Sequence, residues 1–478
     1  MPAPALWHSA QRLAPLAWPV FIGQVAVLAF STVDTVLLGR YDALDLAALA
    51  IGMAAYISVF VGLMGVVVAV GPIVGRFYGA QRLPEAGQQF HQAQWLALVL
   101  ALLGAAVLVF PQPFLALSHA TPEVAGRVQA YLRALALALP AALLFAAYRG
   151  FNTAVSRPKA VMLLQLAGLA LKVPLSTLLV FGAQPLGLPA LGVLGCGIAT
   201  CIVMWLQWLA ACWVLRRDRF YVPFDLHPPG RRFGLPAPRW AALRAQLALG
   251  VPMGLSILIE VTAFTFMSFF IARLGATAVA GHSIAMNLVS LMFMMPMALA
   301  NAASTLVAQC IGAGDMGDAR RVGWHGVQIG MLAAAFTGSL VYLGREGVLQ
   351  AYTNQPEVMA AALPLVAWLV LFHTADAVQC IAAFVLRAWH IATLPVVIYA
   401  LSLWLVGLGG GFALAFNVGG EVPAALHGAR GFWVAATAGL VVAAAGLSLF
   451  LRWVMRHHSH PSEHNDDARP PGVSAPAG

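Results

Sequence analysis

Three acidic side chains interrupt long apolar segments of this sequence. Asp34, Glu260 and Asp376 lie within such segments, whereas most of the other Asp and Glu residues fall in short polar stretches or in the C-terminal tail. A charge at the centre of a bilayer costs at least about 2.5–3.5 kcal/mol on insertion scales. An acid kept there forms a structural ion pair, is held protonated by a hydrogen bond, or serves as a site for a cation or a proton. We favour the last interpretation.

Lys172 is the one cation placed near the middle of an apolar segment. A lysine in a membrane helix can extend its amine to the interface, but the position of Lys172 favours a buried pair with Asp34 instead. Its ammonium would then supply the positive charge that a bound cation would otherwise bring. Ion coupling would rest on Glu260 and Asp376, and the pair of Asp34 and Lys172 would act as a gate or a substrate contact.

The composition requires that apolar elements position these charges. Of the 478 residues, 61% are hydrophobic and only 9% are charged, with a mean hydropathy of +0.85. A soluble protein carries about 25% charged residues, so the chain belongs to the membrane class. None of the five cysteines forms a CxxC pair, which argues against a disulfide framework or a zinc site, and we expect no cofactor. The net charge of +9 is carried by arginines in short loops, which favours membrane orientation over nucleic-acid binding.

A helix that spans a bilayer needs about 20 apolar residues, and twelve segments of the sequence meet this requirement. They lie near residues 13–39, 46–75, 93–109, 128–148, 160–182, 191–215, 243–273, 279–309, 326–343, 358–386, 394–416 and 432–455. We predict an all-α integral membrane protein. It divides into an N-terminal six-helix lobe (1–215), a cytoplasmic linker (216–242), a C-terminal six-helix lobe (243–456) and a disordered cytoplasmic tail (457–478).

The two halves are related in sequence. A shift of 233 positions aligns Pro19 with Pro252 and Arg40 with Arg273, among other matches. Because each half has an even number of helices, the repeat is parallel, and substrate sites in such transporters lie between the repeats. The shift places Glu260 opposite position 27, seven residues before Asp34. Seven residues are nearly two helical turns, so both acids fall on one face, which we expect to line the central cavity.

The basic residues predict the orientation of the chain. With both termini inside, 19 of the 26 lysines and arginines fall on the cytoplasmic side and 7 on the other. The positive-inside rule therefore places both termini in the cytoplasm. The first apolar segment is longer than the core of a signal peptide, and we expect it to remain as an anchor.

Several stretches together resemble the multidrug and toxic compound extrusion (MATE) family, in its NorM-like branch. In the second half they are LGVPMGLSILIE at 249–260, AGHSIAMN at 280–287, residues 292–296 and GAGD at 312–315. In the first half they are residues 33–35, 45–50 and GCGIAT at 195–200, and the tenth segment adds Asp376, Gln379 and residues 386–387. The resemblance covers roughly residues 10–455.

The resemblance implies two six-helix lobes around a V-shaped cavity and antiport of organic cations against Na⁺ or H⁺. Glu260 and Asp376 match the cation-site acids of the second lobe, with possible Na⁺ binding there, and Asp34 matches the first-lobe acid. We place a possible substrate cavity at Phe264, Met286, Asn287, Met292 and Gln379. The chain departs from the branch in two places. The branch has an asparagine pair on either side of a proline, and this chain has Lys172 and Ser176 at those positions. The branch also has a glutamine where this chain has Ser283.

We therefore predict a secondary antiporter and not an enzyme: a monomer of the bacterial inner membrane that exports small organic cations by alternating access. One alternative is a flippase for lipid-linked precursors of the same superfamily, which would need a cationic cavity. Another is a membrane-embedded enzyme that modifies lipids, and a channel is a third. The histidines and intramembrane acids are scattered along the sequence, which disfavours the enzyme.

Overall fold

The structure is a computed structural model and describes residues 3–118, 121–182, 187–226 and 236–457. Within these ranges all regular elements that carry the fold are helices, and twelve of them are long and apolar enough to cross a membrane. This confirms the predicted fold class. We label the spanning helices α1 to α12 in chain order.

The first six helices form the first lobe, with the bounds α1 Leu6–Gly39, α2 Ala43–Gly79, α3 Leu83–Val109, α4 Pro122–Ala154, α5 Pro158–Phe181 and α6 Gly192–Arg217. The other six form the second lobe, with the bounds α7 Trp240–Ala272, α8 Ala276–Gly312, α9 Met316–Leu343, α10 Leu369–Ala388, α11 Thr393–Ala415 and α12 Ala429–His457. Short helices at Gln112–Ser118, Arg345–Tyr352 and Pro356–Val366 precede α4 and α10.

The tenth apolar segment differs from its prediction as one helix. It is broken into Pro356–Val366 and Leu369–Ala388. Pro364 lies near the end of the first piece, and a proline lacks the amide that would continue the helical ladder. The break makes α10 a shorter helix, which carries Asp376.

The predicted linker is partly built into the first lobe. Residues Arg219–Phe224 form a short 3₁₀ helix whose Tyr221 and Phe224 are buried in the first hydrophobic core. Aromatic side chains carry enough apolar surface to override the polar character of the stretch around them. Residues 227–235 of the linker and 458–478 of the tail lie outside the described residues, as does the predicted disorder of that tail.

The sequence repeat is present in the helix boundaries. The shift that aligns the two halves of the sequence also carries the end of α2 onto the end of α8 and the start of α3 onto the start of α9. A shift longer by a single position carries both boundaries of α4 onto Pro356 and Ala388, the outer ends of the broken tenth element. The lobes are therefore two copies of one six-helix fold that run in the same direction.

The two lobes meet through a reciprocal contact. The side chain of Arg76 on α2 donates to the carbonyl oxygen of Ala388, 2.8 Å away, at the end of α10. Gln309 on α8 donates to the carbonyl oxygen of Ala154, 2.7 Å away, at the end of α4. Gln309 is the repeat equivalent of Arg76, and Ala388 that of Ala154. The same interaction is made twice, once in each direction across the pseudo-two-fold axis.

These contacts lie at the end of the bundle that carries the linker, which we call the linker end. Ser9 and Arg12 at the start of α1 bond to His325 and Asp318 of α9, at 2.7 and 2.6 Å. Gln246 of α7 donates to the backbone of α3, at the carbonyl oxygen of Gln89. At the opposite end, within the described ranges, no hydrogen bond or ion pair joins the lobes. The lobes are thus closed at the linker end.

Two repeat-related glycines allow this closure. A Cβ on Gly79 would lie 1.9 Å from the carbonyl oxygen of Gln309, and one on Gly312 would lie 1.9 Å from that of Arg76. Both neighbours are backbone atoms, which cannot rotate away. We predict that Gly79→Leu forces the lobes apart at the linker end.

The change is measured by labelling Ser304→Cys with a hydrophilic maleimide, in a background without the five native cysteines. Ser304 is buried near the lobe interface. Overpacking costs about 1–3 kcal/mol, which corresponds to a roughly 5- to 150-fold rise in labelling rate. Gly126→Leu is the control, because nothing lies within 4 Å of its added Cβ. An unchanged rate in Gly79→Leu would mean that this contact does not hold the lobes together.

Candidate functional site

The second lobe holds two carboxylates that share one amide. Gln379 Nε2 on α10 donates to Glu260 Oε1 on α7 and to Asp376 Oδ1 on its own helix, both at 2.9 Å. Asp376 is 4% exposed and Gln379 is fully buried, while Glu260 is half-buried. The structure therefore brings together two of the predicted coupling acids.

Tyr399 completes this cluster from α11. Its hydroxyl donates to Gln379 Oε1 and so fixes the amide with its NH₂ group toward both acids. The helix then widens into π-helical turns over Ala400–Gly409, directly after Tyr399. Such turns are uncommon and are found mostly at functional sites. The hydrogen bonds thus connect three helices of the lobe, α7, α10 and α11.

The arrangement is suited to binding one cation or one proton. Each carboxylate receives a single hydrogen bond from Gln379 and has acceptor capacity left over, since an ionised carboxylate offers about four lone-pair sites. Two negative charges in apolar surroundings repel each other, and a proton or an oxygen-ligated cation between them removes that repulsion. Glu260 and Asp376 are the residues that would hold Na⁺, with carboxylate oxygens as hard ligands.

The first lobe holds a closed ion pair. Lys172 Nζ on α5 lies 2.9 Å from Asp34 Oδ2 on α1, and the two side chains are 0% and 2% exposed. The ammonium also donates to Thr200 Oγ1 at 2.6 Å and to the carbonyl oxygen of Cys196 at 3.3 Å, both on α6. Ser176 donates to the other carboxylate oxygen of Asp34 at 3.3 Å.

The predicted contact between Asp34 and Lys172 is thus present, with all three ammonium hydrogens and both carboxylate oxygens used. The two lobes place different chemistry at related positions. In the first lobe the acid has a resident cation, and in the second no cationic side chain is bonded to the acids within the described residues.

One geometric expectation is wrong. Asp34 and Glu260 each point into their own lobe, Asp34 toward Lys172 on α5 and Glu260 toward Gln379 on α10. The face that carries them does not line the cavity between the lobes. Helical periodicity predicts which residues share a face but not what the face packs against. Here the polar partners on α5, α6, α10 and α11 draw the acids into the lobes.

A cavity of about 110 Å³ lies between the lobes, near the linker end. Its walls come from both lobes and include three methionines, Met64, Met253 and Met297. The polar side chains around it are Gln24, Arg149, Thr153, Gln165, Asn301, Ser304, Thr305 and Arg387. The lining contains two arginines and no acidic residue.

None of the five residues predicted for a substrate cavity lines this space between the lobes. Phe264 packs against Phe372 in the hydrophobic core of the second lobe, with tilted rings whose centroids are 5.9 Å apart. Met286 and Met292 pack against the same core. Asn287 accepts a hydrogen bond from Tyr352 at the end opposite the linker, and Gln379 belongs to the acid cluster.

Sequence reasoning missed Tyr399, Thr200 and the cavity arginines. Tyr399 and Thr200 are polar side chains in apolar segments, and this was a usable signal because such groups need a partner in a membrane. Arg149 and Arg387 were assigned to the cytoplasmic ends of their helices, and nothing in the sequence shows that both turn inward.

The comparisons with known proteins agree with this architecture. The family model MatE matches residues 19–178 and 252–412, so its two copies are related by the same shift as the two halves of the sequence. The "Probable multidrug resistance protein NorM" of Aromatoleum aromaticum is 41% identical over 454 residues, which is 94% of this chain and 95% of that protein. "Multidrug resistance protein MdtK" of Yersinia enterocolitica is 32% identical, with 94% and 96% covered.

Solved structures show the same fold at lower identity. A eukaryotic MATE transporter, AtDTX14, has a TM-score of 0.82 at 19% identity and covers 95% of this chain and 100% of its own. The Vibrio cholerae MATE transporter VcmN in the bent form has a TM-score of 0.81 at 18% identity, with 95% and 98% covered.

The buried pair leads to a prediction for stability. Lys172→Met or Asp34→Asn leaves one buried partner without its counterion, which typically costs about 3–5 kcal/mol. The double variant should recover part of this loss. The midpoint of thermal unfolding in detergent is the measurement, and Lys159→Met is the control because that lysine is exposed. Single effects that simply add in the double variant would argue against an energetic coupling between the two residues.

Proposed function

The chain belongs to the MatE family of multi-pass membrane transporters, and from this premise we propose that it is a secondary antiporter. It exports small organic cations in exchange for Na⁺ or H⁺, by alternating access between its two lobes. The relatives named as multidrug resistance proteins support a broad range of substrates.

The observation that carries the proposal is the pair of acids in the second lobe. Glu260 and Asp376 are joined through Gln379 with no positive side chain bonded to them in the described structure. A coupling ion would neutralise this charge on binding. Release of the ion would restore two close negative charges, which are unfavourable in apolar surroundings. Ion occupancy therefore changes the free energy of this lobe.

Helix α7 connects the acids to the lobe interface. Gly254 lies six residues before Glu260 on this helix, about 9 Å along it at 1.5 Å per residue. A Cβ on Gly65 of α2 would lie 2.6 Å from Gly254 Cα, so the backbones touch across the lobes. A movement of α7 on ion binding changes this contact, and we propose that this is how occupancy biases the direction in which the cavity opens.

The first lobe takes no part in ion coupling under this proposal. The ammonium of Lys172 already occupies the space beside Asp34 and uses its carboxylate oxygens. We propose that the pair serves as a gate or a substrate contact that rearranges during the cycle.

The chain would act as a monomer of the bacterial inner membrane, with the linker end toward the cytoplasm. The 19-to-7 distribution of lysines and arginines supports this orientation. The closed linker end then makes this structure the conformation that faces outward.

A flippase for lipid-linked precursors is the weaker candidate. The two arginines of the interlobe cavity are the kind of charge it would use. The twelve membrane-spanning helices found in the described residues and the relatives named for multidrug resistance favour the exporter.

The central prediction concerns the second-lobe acids. Glu260→Gln and Asp376→Asn each remove one negative charge while keeping the shape of the side chain. Both variants should fold and insert but lose ion-driven transport in proteoliposomes, because the cation or proton site is broken. Separate gradients of Na⁺ and H⁺ identify the coupling ion.

The matched control is Glu357→Gln, which changes an exposed acid outside the lobes' interior and should transport at the wild-type rate. Full gradient-driven transport by both acid variants would remove the coupling site from Glu260 and Asp376.

Orientation is tested by single cysteines in a cysteine-free background. Ala237→Cys and Ser462→Cys should resist an impermeant maleimide in intact cells, whereas Gln112→Cys should react. Ala237 and Gln112 are exposed at opposite ends of the bundle, so both are chemically reachable. Reaction of Ala237→Cys from outside would reverse the orientation.

A further inference from the structure

The cavity between the lobes is lined by two guanidinium groups and no carboxylate. Arg149 of α4 and Arg387 of α10 both border its space of about 110 Å³. One arginine comes from each lobe, so their charges face one compartment across the interface. In low-dielectric surroundings two like charges repel, and this opposes closure of the lobes.

Arg387 forms no ion pair within the described chain. It is only 6% exposed, and its Nη1 has no hydrogen-bond acceptor. The ring of Phe384 on the same helix lies under its guanidinium, 4.1 Å away at the centroid. This contact compensates only part of the charge, and a buried guanidinium without a bonded anion is costly.

Three other arginines at the linker end have strong hydrogen-bond or ion-pair partners. Arg12 pairs with Asp318, Arg157 pairs with Asp218, and Arg76 donates twice to the carbonyl oxygen of Ala388. Arg149 contrasts with these, because its Nη2 meets only the thioether of Met64, at 3.0 Å, and a thioether is a weak acceptor. Compared with these three, the two cavity arginines are poorly matched.

The two cavity arginines do not occupy equivalent positions in the repeat. The shift that relates α4 to α10 places Thr153 opposite Arg387, and Thr153 lines the same cavity. Arg149 lies one helical turn before Thr153 on the same face. Each lobe thus contributes one arginine to the cavity, at depths that differ by about one turn.

We propose that this cavity binds a small monovalent anion, such as chloride or a short carboxylate, and that the anion stabilises the closed linker end. The arginines supply the charge, and the hydroxyls of Thr153, Ser304 and Thr305 can donate from both lobes. Separation of the lobes takes the site apart, so the anion binds the closed form more tightly. By linkage, it shifts the population toward that form.

The cavity volume limits the size of the anion. A cavity of about 110 Å³ has room for several water molecules, so chloride or acetate is small enough to enter it. Gluconate carries the same carboxylate as acetate on a long polyol chain, and we expect it to bind more weakly in so confined a space. A site defined by charge alone would not separate acetate from gluconate.

The test measures the lobe arrangement at the end opposite the linker. Ala43 and Ala276 are exposed, repeat-related residues at the starts of α2 and α8, and spin labels there report how far the lobes diverge. The purified full chain is compared in sodium chloride, sodium acetate and sodium gluconate at equal ionic strength. Chloride and acetate should raise the ratio of the long-distance to the short-distance population by roughly fivefold or more relative to gluconate.

Arg149→Gln and Arg387→Gln should each weaken this anion dependence, and the double variant should lose it. Arg82→Gln is the matched control, because Arg82 pairs with Glu85 on the surface and is not part of the cavity. Equal populations in the three wild-type samples would overturn the proposal without any variant. An anion effect that survives in the double variant would also overturn it, because the anion would then act elsewhere.

Discussion

The cost of a charge in apolar surroundings governs the arrangement of this protein. Each ionisable group inside the helical bundle must find a partner there, because lipid offers none. Lys172 finds Asp34 together with Thr200 and a backbone carbonyl, and the pair is almost completely buried. Among the described residues, Glu260 and Asp376 are bonded to the amide of Gln379 and to no cation. In the first arrangement the hydrogen-bonding groups of both charges have partners within the protein. In the second arrangement the carboxylates still have acceptor capacity for an ion.

The repeat separates the scaffold from the chemistry. Helix boundaries recur between the two halves, and the bonds of Arg76 and Gln309 across the interface are equivalents of each other. None of the ionisable groups inside the lobes is repeated in this way. Position 27 opposite Glu260 is valine, and position 267 opposite Asp34 is methionine. Under the proposed function, a duplicated scaffold with unlike interiors confines the response to the coupling ion to one lobe.

The closed linker end depends on small residues and backbone acceptors more than on charge. Gly79 and Gly312 let α2 and α8 approach until only backbone separates them, and Gly65 and Gly254 do the same for α2 and α7. Such contacts have few intermediate arrangements, since packed surfaces either fit or separate. They suit a transporter that alternates between two states. The arginines of the interlobe cavity work against this fit, and this is why a bound anion would stabilise the closed form.

The sequence by itself determined the membrane class, the twelve spans, the parallel repeat and the chemistry expected of Asp34, Glu260 and Asp376. These follow from local hydropathy and from the rarity of charge in apolar segments, which need no knowledge of packing. It also predicted the contact of Lys172 with Asp34, since each is the only charge of its sign near the middle of an apolar segment in the first half.

Only the tertiary structure decided which faces meet. Helical periodicity correctly placed Asp34 and Glu260 on the same face of two equivalent helices. That face turns into each lobe and not toward the cavity between the lobes. The cavity is lined by Arg149, Arg387 and methionines that no short-range pattern selects. Tyr399 joins the acids from a helix that is distant in sequence from Glu260. Residues that line an interface are chosen by the rotation and crossing of whole helices, a property of the packed bundle that no single segment encodes.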